Sequence, residues 1–253
     1  MQKVLFSLLT VLILASASGA SLTVGNASPT NGVNTFPFGG SGFGPGTRYQ
    51  QAYAASDFSS IGGPLTITGI SFLLGGGTLS TSTYTLYLST ISSGIDTLSD
   101  VNFDSNRGPD NALFTSLALS GSGPSTLTFS GTPFTYDPGH GNLLLDIVVS
   151  PGGTGFTGAA YLSNTNAVGV FSRYHNFGTG NVGWGLVTKF DYVVPEPSAT
   201  GMIATALLFA PFFRRIAAKL PITPRAPRAC ARVTWLAVES KTVNPRATAP
   251  ARR

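Results

Sequence analysis

The amino-acid sequence predicts an all-β protein, an antiparallel β-sandwich of the jelly-roll kind. Charged residues make up only 10% of the chain, and 31 glycines accompany many Ser, Thr and Asn residues, a composition that favours turns and strands over charged helices. Several runs alternate apolar and polar residues, and turn clusters separate them. Many short strands punctuated by turns are typical of sandwiches, and no internal repeat favours a propeller or a solenoid.

Residues 1–20 have the features of a secretory signal peptide. Lys3 precedes an apolar run over residues 4–15, and small residues follow at 17–20. This order of charge, apolar segment and small residues is what signal peptidase recognises. We expect cleavage after Ala20, with Ala17 as a second acceptable position.

Residues 21–194 form the predicted sandwich domain. The run 65–74 changes its apolar phase at Gly69, which predicts a β-bulge there. The run 143–149 is apolar on both faces and predicts a central strand that is covered on both sides. The other predicted strands are residues 84–89, 125–129, 158–162, 168–172 and 186–194.

The charge of this domain differs from that of the whole chain. Residues 21–194 contain four basic and eight acidic residues, a net charge of −4, whereas the whole chain carries +5. The basic excess lies after residue 213, so it gives no support for nucleic-acid binding by the domain. The single cysteine, Cys230, also lies outside the domain, which therefore has to be stable without a disulfide.

Three features follow the domain in a fixed order within residues 195–215. Pro195, Glu196 and Pro197 interrupt the last strand, because proline lacks a backbone donor. Residues 198–213 carry no charge and predict a short transmembrane helix of about 24 Å. Arg214 and Arg215 close the segment and mark its cytoplasmic side.

These three features resemble the PEP-CTERM sorting signal of Gram-negative, biofilm-forming bacteria. The resemblance implies a substrate of an exosortase, held first in the inner membrane by its C-terminal helix and then delivered to the cell surface or the extracellular polysaccharide matrix. Stretches at residues 48–53 and 141–147 are similar to uncharacterised exported proteins that carry this signal, without an assigned chemistry. Residues 216–253 predict a disordered basic extension, for which a frameshift and a read-through are the two candidate origins.

One loop has enough oxygen-bearing side chains to suggest calcium. The candidate ligands Asp100, Asn102 and Asp104 alternate along it. An EF-hand would need glycine at Ser105 and glutamate at Asn111, so that motif is excluded. The alternative is a polar turn whose side chains bond their own backbone. We expect no other cofactor.

Asp146 lies within the most apolar run and must be hydrogen-bonded if it points inward. It is either a catalytic carboxylate, with Asp191 as its partner, or a strand-edge or loop-tethering acid; the second kind of role is more common for buried acids. The domain contains no glutamate, and His140 and His175 show no metal spacing and are expected in turns or at the surface. No catalytic residue is therefore assigned, and we expect a protein that is not an enzyme.

Trp184 is the candidate ligand-binding residue. With Tyr161 or Tyr174 its ring would offer a flat apolar platform for a sugar, although a core or loop-anchoring tryptophan is the more common case. Three hypotheses for the domain follow: a structural or adhesive protein, a carbohydrate-binding module for exopolysaccharide, and a secreted hydrolase.

Overall fold

The computed structural model describes residues 19–39, 47–150, 157–175 and 180–195. Most of the predicted signal peptide, Glu196, Pro197, the predicted membrane helix, the arginine pair and the basic extension lie outside the described residues. Within the described residues no helix is both long enough and apolar enough to cross a membrane.

Strands are the main regular structure of the described chain, joined by turns and three short 3₁₀ helices at Ala55–Ile61, Phe103–Asn106 and Pro138–His140. The strands are β1 Gly19–Val24, β2 Val33–Asn34, β3 Thr47–Tyr53, β4 Leu65–Phe72, β5 Thr78–Ile91, β6 Ala112–Ser122, β7 Leu127–Tyr136, β8 Asn142–Val149, β9 Tyr161–Asn164, β10 Phe171–His175, β11 Asn181–Val182, β12 Gly185–Leu186 and β13 Thr188–Val193.

Two large sheets contain most of these strands. One has the order β1-β13-β4-β7 and the other the order β11-β10-β3-β8-β5-β6; a third, small sheet has the order β12-β9-β2. Every pairing between these strands is antiparallel. The prediction of an all-β, antiparallel protein is therefore confirmed.

An aromatic core joins the two large sheets. Tyr53 of the six-stranded sheet meets Phe190 of the four-stranded sheet edge to face, with ring centroids 5.1 Å apart. Phe38, from the loop after β2, contacts rings of both sheets, including Phe72 at 4.8 Å and Tyr84 at 5.4 Å. Large rings bury much apolar surface and prefer such tilted arrangements, so packing can stabilise this core without cross-links.

Two strand predictions agree closely with the structure. The pairing of β4 with β7 shifts register between Ile67 and Gly69, which is the predicted bulge. Strand β8 lies between β3 and β5 in the middle of its sheet. Its side chains alternate between the two faces: Leu145 packs in the main core, and Leu144 packs in a second apolar cluster on the opposite face.

Other strand boundaries differ from the predictions. Strand β5 begins at Thr78 and not at residue 84. The sequence pattern missed the first residues of this strand because Ser80 and Ser82, although buried, interrupt the alternation of apolar and polar residues. The predicted strand 186–194 is split at Val187 into β12 and β13, which belong to different sheets. The predicted strand 168–172 occurs as β10, three residues later.

Candidate functional site

A loop of residues 92–111 covers the outer face of the six-stranded sheet. The short helix Phe103–Asn106 lies in this loop, and Phe103 packs with Ala52 and Leu144 of the sheet in the second apolar cluster. The Gly108 amide donates to Ser89 Oγ at 3.1 Å. The loop thus closes the second face of β8.

Asp146 projects from β8 into the contact between the sheet and this loop, with only 1% of its side chain exposed. Arg48 Nε donates to Oδ1 at 2.7 Å and Arg48 Nη2 to Oδ2 at 2.6 Å. Arg107, from the loop, donates Nε to Oδ2 at 2.7 Å. A buried carboxylate needs such partners, because removing an unpaired charge from water costs several kcal/mol.

The two arginines are held further by aromatic rings. The Arg107 guanidinium lies 4.6 Å from the ring centroid of Tyr87, and that of Arg48 lies 5.7 Å from Phe103. Both distances are within the range of cation–π attraction. The geometry therefore corresponds to the tethering role that we considered for Asp146.

Asp191, considered as a catalytic partner for Asp146, lies on β13 in the other large sheet. Its Oδ1 is 3.0 Å from Lys189 Nζ. The structure does not bring the two carboxylates together.

The calcium candidates are Asp100, Asn102 and Asp104. Asn102 Oδ1 accepts the Ser105 amide at 3.4 Å and caps the short helix. Asp104 Oδ1 lies 3.0 Å from Arg48 Nη1 and 3.3 Å from Arg107 Nη1, and two adjacent guanidinium charges disfavour a cation there. In the part of the chain that the structure describes, no three His, Cys, Asp or Glu residues are grouped as a metal site. Calcium binding stays a prediction.

Trp184 lies at the surface, 40% exposed, with its ring 5.2 Å from the Arg173 guanidinium. Of the alternatives for Trp184, a core position is excluded, while a loop-anchoring or ligand-binding position stays a prediction. Tyr161 and Tyr174 are 0% and 4% exposed, so a platform that includes either of them is wrong: both rings are used for packing. What remains is a single exposed indole beside a cation.

The two histidines differ from each other. His140 is exposed in a turn, as expected, and lies 3.1 Å from Asp137 Oδ2. His175 is buried in β10 and stacks on Phe36 at 5.6 Å, so the expectation of a surface position is wrong. Burial lowers the pKa of His175, and the nearby Arg173 charge lowers it further.

A polar cleft of about 580 Å³ opens beside the C-terminal end of β1. Val24, Gly25, Gly32, Ala167 and Val170 supply its apolar and glycine surface. The other lining residues carry amide, hydroxyl or carboxyl groups: Thr23, Asn26, Asn31, Asp57, Ser163, Asn164, Thr165 and Asn166. No lysine, arginine or aromatic residue is among these lining residues.

Asparagines fix the wall of this cleft. Asn164 Oδ1 accepts the Asn26 amide at 2.7 Å, and Asn164 Nδ2 donates to the Asn26 carbonyl at 3.1 Å. Asn31 Nδ2 donates to the same carbonyl at 2.7 Å. Gly25 has φ of +96°, and a Cβ there would lie 2.8 Å from Asn164 Oδ1, so the turn requires glycine.

Of the described residues that line the cleft, Asp57 alone is ionisable. Its Oδ2 is buried and has no hydrogen-bond partner among the described residues. Burial raises the pKa of Asp57 to about 6.

The cleft was not predicted from the sequence. Its lining residues come from three separate segments, at residues 23–32, 57 and 163–170, and each segment by itself has the composition of an ordinary loop. The enrichment in asparagine at residues 26–34 and 164–166 is the only signal that sequence inspection offers.

No protein-family model, no curated protein and no solved structure matches this chain.

Proposed function

We propose that this chain is an exported, non-enzymatic protein that acts at the cell surface or in the extracellular polysaccharide matrix, in a structural or adhesive role. The observation that carries the proposal is the order of Pro195-Glu196-Pro197, an apolar segment and Arg214-Arg215 at one end, with a signal-peptide pattern at the other. Its partners are signal peptidase, an exosortase and, before processing, the membrane.

The expected cleavage site after Ala20 falls within β1. Ala20 is exposed in β1 and pairs with Tyr192. Cleavage after Ala20 leaves Ser21 to Val24 in the ladder with β13, so the strand keeps most of its pairing. The new N-terminus would then begin within β1.

Cell fractionation with C-terminal mass spectrometry tests the sorting proposal. Strains with and without the exosortase are compared, and only the first is expected to yield a surface-associated protein that has lost its apolar tail. Pro195→Ala/Pro197→Ala should block this processing, whereas Pro221→Ala, in the basic extension, should not. An unprocessed cytoplasmic protein in both strains would overturn the proposal.

We further propose that the sandwich is a jelly roll. Its support is the distribution of strands: β1, β4, β7 and β13 form one sheet, and β3, β8, β5 and β6 lie side by side in the other. Consecutive main strands change sheets at each step except from β5 to β6, as in two nested Greek keys.

The second candidate function is a carbohydrate-binding module for exopolysaccharide. Two surface features favour it: the exposed Trp184 ring and the polar cleft beside β1. Loss of glycan-array binding in Trp184→Ala would favour the indole as the contact. Glycan binding that is retained in Trp184→Ala would favour the cleft as the binding site.

A further inference from the structure

We propose that the cleft beside β1, and not the Trp184 surface, is a binding site for a neutral saccharide. The inference rests on the carbohydrate-binding candidate above, and it assigns that function to particular residues. Three properties of the cleft carry it: its size and lining, its hydrogen-bonded wall, and its charge.

The size and lining match a short oligosaccharide. Ligand sites commonly have volumes of about 300–1,000 Å³, and this cleft has about 580 Å³. A sugar presents hydroxyl groups around its edge and C–H groups on its faces. The amide and hydroxyl side chains can exchange hydrogen bonds with the hydroxyl groups, while the partly exposed Ala167 and Val170 offer apolar surface to the C–H groups.

Hydrogen bonds hold the wall of the cleft in the absence of a ligand. Asn26, Asn31 and Asn164 use their hydrogen bonds to hold one another, as described above. Thr165 and Asn166 lie next to this wall and are exposed, so their side chains are accessible to a ligand. A preformed wall lowers the ordering cost that weak ligands have to overcome.

Asp57 supplies an acceptor at the cleft. Asp57 lines the cleft and is partly exposed, so a ligand hydroxyl can donate to its carboxylate. Its buried Oδ2 has no donor among the described residues, so the carboxylate has spare acceptor capacity.

The charge of the cleft favours the binding of neutral sugars over that of anionic sugars. Among the described residues, its lining contains one carboxylate and no cation. A uronate or a sulfated sugar would meet Asp57 without a compensating positive group, and like charges at short range repel.

Calorimetric titration of the full-length protein tests the inference, with cellotetraose, maltotetraose and mannotetraose as neutral probes and tetragalacturonate as the anionic comparison. At least one neutral probe should bind saturably. Thr165→Ala/Asn166→Ala should weaken its binding at least tenfold, because two ligand hydrogen bonds are lost. Thr132→Ala, an exposed threonine on β7, is the matched control and should bind as the wild type does.

Hydrogen–deuterium exchange locates the bound sugar independently of the variants. Protection should fall on residues 23–32 and 163–170. Two results would overturn the assignment of the site to the cleft but not carbohydrate binding itself. One is saturable binding with protection at residues 181–184, and the other is loss of binding only in Trp184→Ala. Absence of binding to every probe would overturn both the cleft site and the carbohydrate-binding function. The outcome of the sorting experiment would be unaffected. Preference for tetragalacturonate would also overturn the inference.

Discussion

At Asp146 two guanidinium groups meet one buried carboxylate, and they come from distant parts of the chain. Arg48 lies on the neighbouring strand β3, and Arg107 lies in the covering loop. Removing one partner of a buried ion pair lowers the free energy of unfolding by more than the intact pair contributes to it, because the remaining charges stay buried without a partner. The stability of the loop therefore depends on the negative charge of this side chain.

Asp146→Asn keeps the shape of the side chain and removes its charge. We expect a loss of about 3 kcal/mol in the free energy of unfolding, measured by urea denaturation. Asp104→Asn is the control, because Asp104 contacts the same arginines from a side chain that is 75% exposed, and should cost less than about 1 kcal/mol. Equal losses in the two variants would contradict the tethering role.

Asp57 should make stability depend on pH in a recognisable direction. Its folded-state pKa of about 6 exceeds the value of about 3.9 for an unfolded aspartate, so the folded protein binds the proton more tightly. Stability should fall as pH rises from about 4 to 6, and this loss should be smaller in Asp57→Asn.

Urea denaturation at pH 4.5 and pH 7 measures this effect. We expect Asp57→Asn to be more stable than the wild type at pH 7 by on the order of 1 kcal/mol, a value reduced for the partial exposure of the residue. Identical pH dependence in the two proteins would show that Asp57 titrates normally.

At the scale of elements, the covering loop needs glycine where it approaches β5. A Cβ on Gly108 would lie 1.9 Å from the Thr90 carbonyl oxygen, which is backbone and cannot move aside easily. Gly108 thus sets the distance between the loop and the sheet.

Gly108→Ala should destabilise the protein by about 1–3 kcal/mol, because the added methyl group forces the backbone apart. Thermal unfolding measures the loss, and hydrogen exchange at residues 92–111 should increase. Gly63→Ala, at a glycine with no neighbour within 4 Å of the added Cβ, should leave both unchanged. An unaffected Gly108→Ala would mean that the loop tolerates displacement.

The sequence predicts those elements whose signal is local. The bulge before Gly69 follows from a phase change within one strand, and the central place of β8 follows from its apolar character on both faces. The break at Val187 has no such signal, because the residues on both sides continue the alternation while changing sheets.

The candidate sites show the same limit. The buried state of Asp146 could be predicted from its apolar strand, but its partners could not, since Arg48 and Arg107 lie 98 and 39 residues away along the chain. The polar cleft depends on even more distant segments. The sequence leaves open whether Trp184 faces the core or the surface, because nothing in a glycine-rich turn indicates the direction of an aromatic side chain.

At the scale of the whole molecule, the aromatic core depends on Phe38, a residue of a loop and not of a strand. Its ring is fully buried and touches Phe72, Tyr84, Phe129 and Tyr161. One loop residue therefore contacts rings of all three sheets.

Phe38→Ala should cost about 3–5 kcal/mol, because it leaves a cavity between the sheets. Urea denaturation should show the full loss in a single transition. Val101→Ala, at a side chain that is 88% exposed, should change stability by less than about 0.5 kcal/mol. A loss below about 1 kcal/mol for Phe38→Ala would mean that the neighbouring rings collapse into the space.

The ladder between β1 and β13 has a mechanical consequence. After cleavage behind Ala20, Ser21 pairs with Asp191 at one end of this ladder, and Val24 pairs with Thr188 at the other, beside the cleft. If the cleft holds a fixed polymer and the chain beyond Val193 is anchored, tension runs parallel to these strands. The hydrogen bonds of the ladder then bear the load together in shear, whereas a load applied to both strands at the Ser21–Asp191 end would separate the pairs one at a time.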